Sequence, residues 1–347
     1  MSIYEYVGNP HVHTCYSDGE ALHVEVAEAA AKAGLDFVIT TDHNVWVNGC
    51  ERSYGKLVLL VGEELHDVRR QPQCNHLLAY HAESELAPQA SDPQGLIDEV
   101  NQRGGLCFLA HPFEYGSRLS PDLAAIPWVD WDVTGYIGLE IWNTMSEFKA
   151  LMRSKLSAIY YSSFPRRATR APFRATLRRW DQLLAQGQRV AAIGGADAHG
   201  TTYSMGPFER VVLPYEHLFR CVNTHIITER PLNFHLEHDK PLIYGALRSG
   251  HTWVGYDLIA PTEGFRFQAR SMANRAILGE ELARTGAAVF EVEAPHSGDI
   301  RLVTNGQVVA RARGTRLQFT SAEPGAYRVE VYRRRRGWIF SSPIYVT

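Results

Sequence analysis

The chain has 347 residues, of which 45% are hydrophobic and 21% are charged, and its formal net charge is −3. This composition is typical of a globular protein with room for more than one domain, and it argues against a strongly basic nucleic-acid-binding chain. No apolar run approaches the roughly 18 residues of a membrane span, and the first residues lack the basic and apolar regions of a secretory leader. The five cysteines lack Cys-x-x-Cys spacing, so we expect a cytoplasmic protein without a disulfide framework.

Apolar runs alternate with helical patterns over about the first 260 residues. The runs are apolar at consecutive positions, which is typical of parallel strands buried on both faces; they lie at 37–39, 57–61, 106–110, 138–142 and 190–193. An alanine-rich helix is predicted over 20–33, ending at Gly34, and a second helix begins at Asp92-Pro93 and ends at Gly104. Such strand–helix repeats predict an α/β fold with a parallel sheet, either closed into a barrel or open.

The pattern changes at about residue 265, where apolar and polar residues alternate in short segments. Asn305-Gly306 is a strong signal for a two-residue hairpin turn. We therefore expect an α/β domain over 1–262 and a small antiparallel β-sandwich of immunoglobulin-like type over 263–347. The run Arg333–Arg336 is expected in an exposed hairpin turn, where four charges could also bind a polyanion.

Histidines and carboxylates lie close to the ends of the predicted strands. The candidate metal ligands are His11, His13, Asp18, His43, Glu64, His76, His111, Asp197 and His199. Imidazole and carboxylate are the ligands of hydrolytic metal centres, and nine of them are too many for one ion. Because the carboxyl ends of barrel strands meet at one face, whereas those of an open sheet are spread along a line, this placement favours the barrel.

Local spacing supports several of these candidates. His11 and His13 stand two residues apart in an extended segment, so both imidazoles point the same way, and Asp197 and His199 repeat that spacing. Asp42 is expected to hydrogen-bond a neighbouring group. Glu140 interrupts an apolar run, so it should pair with a bound water, an arginine or a ligand histidine.

As an ordered set, these segments resemble the motifs of the PHP (polymerase and histidinol phosphatase) superfamily. The matching segments are Pro10-His11-Val12-His13-Thr14, Ser17-Asp18-Gly19, Thr41-Asp42-His43, Gly62-Glu63-Glu64-Leu65, Ala110-His111-Pro112 and Gly195-Ala196-Asp197-Ala198-His199. Residues 139–143, 180–184 and 342–346 are similar to the CehA/McbA-type metallohydrolase branch. The resemblance implies a distorted (β/α)7 barrel with a trinuclear metal cluster. From the ligand chemistry we expect two to three divalent ions of zinc, manganese or iron, and the spacing does not discriminate among these metals.

The resemblance also implies how the ligands divide among the ions. The first ion would take His11, His13, Glu64 and Asp197, the second would share Glu64 and add His76 and His111, and the third would take Asp18, His43 and His199. Glu64 rather than Glu63 matches the motif, and His66 and His81 lie close enough in sequence to compete with His76.

Two or three neighbouring ions can lower the pKa of a bridging water and so supply hydroxide near neutral pH. We expect Glu64, Asp197 and His199 to be the residues closest to catalysis, in a phosphoesterase acting on a small phosphorylated substrate. Hydrolysis of an amide, carbamate or carboxylic ester at the same centre is the first alternative. A non-catalytic metal- or nucleic-acid-binding PHP module is the second.

A basic segment could hold an anionic substrate. Residues 146–180 contain nine lysines and arginines and one acid, Glu147. Some of these guanidinium groups could clamp a phosphate or carboxylate, although for any single arginine a solvated helical face is the simpler explanation. Arg118 is a separate candidate for the same role. We expect a small anionic molecule as partner and no nucleic acid or membrane, and the sequence leaves the oligomeric state open.

Overall fold

The computed structural model describes residues 3–117, 119, 123–205 and 208–347. Arg118 lies outside the described residues. The described part is a mixed α/β structure with one large mixed sheet and few helices, so the predicted α/β class is confirmed. None of its helices combines the length and the apolar character needed to cross a membrane.

The helices are short and lie mostly in the first 250 residues. Their bounds are α1 (His23–Ala33), α2 (Pro93–Gln102), α3 (Thr144–Leu151), α4 (Lys155–Ser163), α5 (Arg174–Ala185), α6 (Tyr215–Leu218) and α7 (Leu236–Ser249). Among the described residues, 3₁₀ turns cover Ala87–Gln89 and Pro165–Arg167.

The strands fall into two groups along the chain. The first group is β1 (Tyr4–Asn9), β2 (Phe37–Thr40), β3 (Arg52–Ser53), β4 (Val58–Leu65), β5 (Leu77–Tyr80), β6 (Leu106–Leu109), β7 (Gly138–Asn143), β8 (Ala191–Gly195), β9 (Thr202–Met205), β10 (Phe208–Val211), β11 (Val222–Thr228) and β12 (Thr252–Tyr256). The second group is β13 (Arg266–Arg270), β14 (Arg275–Ile277), β15 (Glu281–Leu282), β16 (Ala288–Thr304), β17 (Gln307–Ser321), β18 (Gly325–Arg333), β19 (Arg336–Ser341) and β20 (Ile344–Val346).

Local sequence explains where the first two helices start and stop. The side chain of Asp92 accepts a hydrogen bond from Gly95 N, and Pro93 occupies the first helical position, as predicted for α2. Gly34 ends α1 with φ of 89°, a left-handed conformation that favours glycine. α1 begins at His23, three residues later than predicted, because Glu25 accepts from the backbone N–H of Leu22 and fixes the start there.

Seven strands of the first group pair in a continuous series. β1–β2, β2–β4, β6–β7 and β7–β8 are parallel, whereas β5 is antiparallel to both β4 and β6. A parallel bridge between Val12 and Ala198 links the residues after β8 to the residues after β1. The expectation of a wholly parallel sheet is therefore wrong at β5, and also at β11, which is antiparallel to β1.

This topology brings particular strand ends to one edge. The carboxyl ends of β2, β4, β6, β7 and β8 lie there, together with the amino end of β5, because β5 runs the other way. The strands themselves are buried: all eight residues of β4 and all four of β5 are shielded from solvent. Burial of this much apolar surface holds the edge residues in place.

The C-terminal strands differ from the short strands that the sequence predicts. β16 has 17 residues and β17 has 15. Each strand joins two segments that the alternation of apolar and polar residues predicts as separate strands. Their ladder shifts register between Glu293 and Gly298, around Pro295, where the alternation is broken. The predicted turn is confirmed at Asn305 (φ 51°) and Gly306 (φ 71°) between these strands.

The second group of strands joins the first through backbone pairing. β19 is antiparallel to β12, with Val254 opposite Phe340, so the sheet continues from one group into the other. One hydrophobic cluster accordingly contains Val254 and Trp142 together with Ala326 and Phe340. The boundary at residue 262 and the immunoglobulin-like sandwich stay predictions.

Candidate metal centre

The structure brings all nine candidate ligands together at the strand edge described above. They form overlapping groups in which one nitrogen or oxygen of each residue lies within 4.8 Å of the others. The groups are His11, His13, Glu64 and Asp197; then Glu64, His76 and His111; then His13, Asp18, His43 and His199; and finally His43, His66 and His76.

The first group is buried and contains two imidazoles and two carboxylates. Glu64 Oε2 lies 2.9 Å from His11 Nε2 and 3.0 Å from His13 Nε2. Asp197 Oδ1 lies 3.1 Å from His13 Nε2 and 3.4 Å from His11 Nε2. The two imidazole nitrogens are 3.2 Å apart, so four donor atoms converge on one point.

Glu64 belongs to two groups through its two oxygens. While Oε2 faces His11 and His13, Oε1 lies 2.7 Å from His76 Nδ1 and 2.9 Å from His111 Nε2. Glu63, the preceding residue, points to the opposite side of β4, where burial raises the pKa of its carboxyl to about 9 and the carboxyl of Glu85 adds to the rise. Glu64 is thus the glutamate that joins the two sets of histidines.

The third group opens toward solvent. Asp18 Oδ1 lies 3.2 Å from His199 Nε2 and 3.5 Å from His13 Nδ1, and Asp18 Oδ2 lies 3.6 Å from His43 Nε2. The Asp18 side chain is 55% exposed, whereas the His13 side chain is fully buried. His13 therefore faces the first group with Nε2 and the third group with Nδ1.

His66 was not among the predicted residues. It lies against the cluster, with its ring stacked on that of His76 at 4.3 Å between centroids. The signal was present in the sequence, because His66 follows Glu64 by two residues, the spacing that singled out His13 after His11. Asn44 accepts from the His66 backbone N–H at 3.0 Å and fixes this segment.

Strand direction explains the positions of these residues along the chain. His43, Glu64, His111 and Asp197 come at the carboxyl ends of strands, but His76 precedes β5, whose reversed direction brings its amino end to the same edge. His111 (φ 26°) and Asp197 (φ 54°) adopt left-handed backbone conformations that side chains disfavour. Such strain is typical of functional sites.

Glu140 and Asp42 hold residues of the cluster, and the loop beside it, through hydrogen bonds. Glu140 Oε1 accepts from His11 Nδ1 at 3.0 Å, and Oε2 accepts from the backbone N–H of His111 at 2.9 Å. Of the partners considered for Glu140, the structure provides a histidine of the cluster. Asp42 accepts from Thr14 N at 2.7 Å and from Ser17 Oγ at 2.6 Å, so it holds the loop that carries Asp18.

The charges of the cluster shift its pKa values in opposite directions. Burial lowers the pKa of His13, but hydrogen bonds to Asp197 and Glu64 raise it to about 10 overall. Burial also opposes ionisation of Glu64 and Asp197, yet the surrounding imidazoles, His11 foremost, hold the pKa of both carboxyls well below the usual range. Since cations compete with protons for such donors, metal binding should release protons.

The basic segment makes contacts away from the cluster. Lys149 pairs with Glu114 at 2.9 Å, and Arg179 lies over the ring of Trp131 at 4.4 Å. Within the described part of the chain, no lysine or arginine forms an ion pair or hydrogen bond with any of the nine candidate ligands. The anion clamp expected of residues 146–180 stays a prediction, because it would hold the substrate and not these nine residues.

No protein-family model matches the chain, and no curated protein matches it. The solved structures that this chain is similar to include the following three. A two-domain protein of Bacteroides vulgatus, containing a predicted PHP-like metal-dependent phosphoesterase, is 14% identical with a TM-score of 0.44, and the match covers 98% of this chain and 95% of that one.

The other two matches cover less of this chain. A Bifidobacterium adolescentis protein, also predicted to be a metal-dependent phosphoesterase, is 16% identical with a TM-score of 0.33, and the match covers 58% of this chain and 91% of that one. An amidohydrolase from Chromobacterium violaceum with bound sulfate is 13% identical with a TM-score of 0.31, covering 61% of this chain and 95% of that one. Likeness at this level does not identify the chain, and its function is inferred from the side chains of the cluster.

Proposed function

We propose that this chain is a metal-dependent hydrolase of PHP type, in the CehA/McbA-like branch, whose seven-strand series forms a distorted barrel around two or three divalent ions. The observation that carries the proposal is the position of Glu64. Its two carboxylate oxygens face two separate pairs of histidines, His11 with His13 and His76 with His111, at 2.7 to 3.0 Å. A carboxylate that joins two ligand sets is an arrangement that suits a pair of neighbouring ions.

The donor atoms of the cluster fit divalent cations. They are imidazole nitrogens and carboxylate oxygens, the ligands that suit zinc, manganese or iron. The buried Nε2 of His76 and Nδ1 of His43 have no hydrogen-bond partner among the described residues, although buried polar atoms are usually paired. Such orphaned nitrogens beside carboxylates are expected where cations complete the coordination.

Each ion would be held by one of the groups above. The first would take His11, His13, Glu64 and Asp197, the second Glu64, His76 and His111, and the third Asp18, His43 and His199. When bound, the ions would lower the pKa of a coordinated water and neutralise charge on the substrate. Glu64, Asp197 and His199 are the protein groups we place nearest this chemistry.

The protein's own contribution is to orient these ligands. Glu140 accepts the Nδ1 hydrogen of His11 and so leaves the Nε2 lone pair of that ring facing Glu64 and Asp197. His199 Nδ1 donates to the carbonyl oxygen of Asp197 at 2.8 Å, which leaves Nε2 facing Asp18. Because Asp18 is the exposed member of its group, we propose that the substrate reaches the cluster from its side.

We propose a phosphoester as the substrate class, with a small phosphorylated molecule as the most suitable substrate. A third ligand group beside the two joined by Glu64 suits a phosphoryl group, whose several oxygens carry charge. Amide, carbamate or carboxylic ester hydrolysis is the second candidate. The observation that favours it is that Lys149 and Arg179 of the basic segment are engaged with Glu114 and Trp131, since a carbon electrophile needs no cationic clamp.

A substrate panel tests the proposal. The purified chain, loaded with Mn²⁺ or Zn²⁺, is assayed on phosphomonoesters, phosphodiesters, carboxylic esters and amides. We expect phosphoester turnover that Glu64→Gln abolishes and the matched variant Glu63→Gln retains. Turnover of esters or amides alone would move the reaction to a carbon electrophile. A lack of turnover on the whole panel would contradict the hydrolase assignment.

A further inference from the structure

A cleft outside the metal cluster is lined by an unusual number of arginines. It has a volume of about 1070 Å³ and lies between the start of α5, the strands β16 to β18 and the turn after β18. Seven arginines and one carboxylate, Asp299, are among its lining residues, and none of the nine candidate metal ligands is. We propose that this cleft binds a compact polyanion carrying several phosphate groups, at a site separate from the metal centre.

The carboxylate in the cleft is already shared by two of the arginines. Arg301 donates to Asp299 Oδ2 at 2.7 Å, and Arg311 donates from Nε to Oδ1 at 2.5 Å. Among the described residues, Arg174, Arg313 and Arg335 form no ion pair with a carboxylate. So many like charges in one concave surface repel each other, and bound phosphate oxygens would remove that repulsion.

The turn between β18 and β19 places arginines where the backbone disfavours them. Arg334 and Arg335 occupy its two central positions with φ of 50° and 65°. Two-residue hairpin turns with positive φ favour Asn-Gly, and the β16–β17 turn of the same chain uses Asn305-Gly306. A strained backbone under charged side chains points to a function of those side chains.

The start of α5 adds to the positive potential of the cleft. Arg174 is the first residue of this 12-residue helix, and Phe173 provides no side-chain cap for the free N–H groups of the first turn. A cation at this end of a helix is unfavourable because the helix dipole is positive there. An anion bound beside Arg174 would reverse this unfavourable interaction.

The lining chemistry favours clustered phosphates over a nucleic-acid strand. Tyr332 is the aromatic residue among the lining residues, and the guanidinium of Arg301 covers its ring at 4.2 Å. The hydroxyl of Tyr332 donates to Glu330 Oε2 at 2.9 Å. No aromatic face in the described lining is therefore free to stack a base, as single-strand binding proteins require. Guanidinium groups that converge from several elements suit a compact ligand instead.

Calorimetric titration of the full chain with sodium tripolyphosphate tests the proposal. The protein is first stripped of metal and dialysed, because the probe itself chelates cations. The test variant is Arg334→Asn/Arg335→Gly, which removes two charges but gives the turn its preferred residues. We expect binding to be at least about tenfold weaker, while the melting temperature stays the same or rises.

A matched control removes two charges at another hairpin. Arg270→Gln/Arg275→Gln alters the paired residues of the β13–β14 hairpin, outside the cleft, and should bind like the unmodified chain. His13→Ala should also bind normally, since it changes the metal cluster alone.

Several outcomes would overturn the proposal. The first is a lack of tripolyphosphate binding by the unmodified chain. The second is an equal loss of affinity in the turn variant and in the Arg270→Gln/Arg275→Gln control. The third is a loss of binding in His13→Ala without a loss in the turn variant. Binding of a 15-nucleotide oligothymidine that tripolyphosphate cannot displace would also overturn it, since the ligand would then be a nucleic acid. None of these results depends on hydrolase activity.

Discussion

Glu140→Gln should weaken metal binding although Glu140 is not itself a proposed ligand. Its carboxylate is buried and accepts three hydrogen bonds, from His11 Nδ1 at 3.0 Å, from His111 N at 2.9 Å and from Asn143 Nδ2 at 3.0 Å. The amide of glutamine offers one oxygen and one NH₂ group, so the NH₂ group would face either His11 Nδ1–H or His111 N–H. Two donors then oppose each other, and one charge-assisted hydrogen bond is lost.

The magnitude follows from the type of bond. A hydrogen bond to a charged group contributes about 1.5–3 kcal/mol, which corresponds to a loss of metal affinity of about 10- to 100-fold. The assay is equilibrium competition with a chelator of known affinity, together with a melting curve that confirms the variant is folded.

Glu63→Gln is the matched control for this substitution. Glu63 is also buried and adjoins Glu64, but it faces away from the cluster, and a carboxyl with a pKa of about 9 is neutral at pH 7. We expect its affinity to stay within about twofold of the unmodified chain, because an amide replaces a neutral acid without change of charge. If Glu140→Gln binds metal as tightly as Glu63→Gln, Glu140 does not orient the ligands as proposed.

Three further predictions concern stability. Burial lowers the pKa of His225, but Asp257 and Glu5 raise it to about 9. The contribution of His225 to the free energy of unfolding should therefore fall by on the order of 3 kcal/mol between about pH 6.5 and 9, where the folded state alone keeps the proton. Urea unfolding should show this slope, and His225→Asn should flatten it; an equal slope in the variant would contradict the assignment. Asp181→Ala removes a carboxylate that accepts from the buried guanidinium of Arg328 at 2.7 and 2.9 Å. It should lower the free energy of unfolding by about 3 kcal/mol, measured by heat or urea, because a buried charge is left unpaired. An unchanged melting temperature would be incompatible with this pair. Gly306→Ala should cost about 1 kcal/mol, because Gly306 has φ of 71°, and a neutral result in the same assay would mean that the turn relaxes freely.

Much of the cluster could be predicted because its signals are local. The apolar runs predict strands, and polar residues at their ends mark the edge where a site forms, as His43, Glu64 and His111 show. The direction of β5 could not be predicted, because four apolar residues at 77–80 carry no information about which neighbour they pair with or how. His76 nevertheless reaches the edge because it lies at the amino end of that reversed strand.

Other features depend on tertiary contacts. The long strands β16 and β17 were predicted as shorter pieces, because Pro295 and Gly298 interrupt the alternation while the ladder continues past them. The pairing of Lys149 with Glu114 joins residues 35 positions apart, which a pattern of charges cannot foresee. His66 is a different case, because the sequence places it between the stronger candidates Glu64 and His76 and its spacing alone marks it only as a competitor of His76.

The most direct test of the central claim is the metal content of the purified chain. Elemental analysis after incubation with Mn²⁺ or Zn²⁺ and gel filtration should give two to three ions per chain, and Glu64→Gln should lose at least one of them, since its carboxylate faces both histidine pairs. A content below one ion per chain, or one unchanged by Glu64→Gln, would contradict the account.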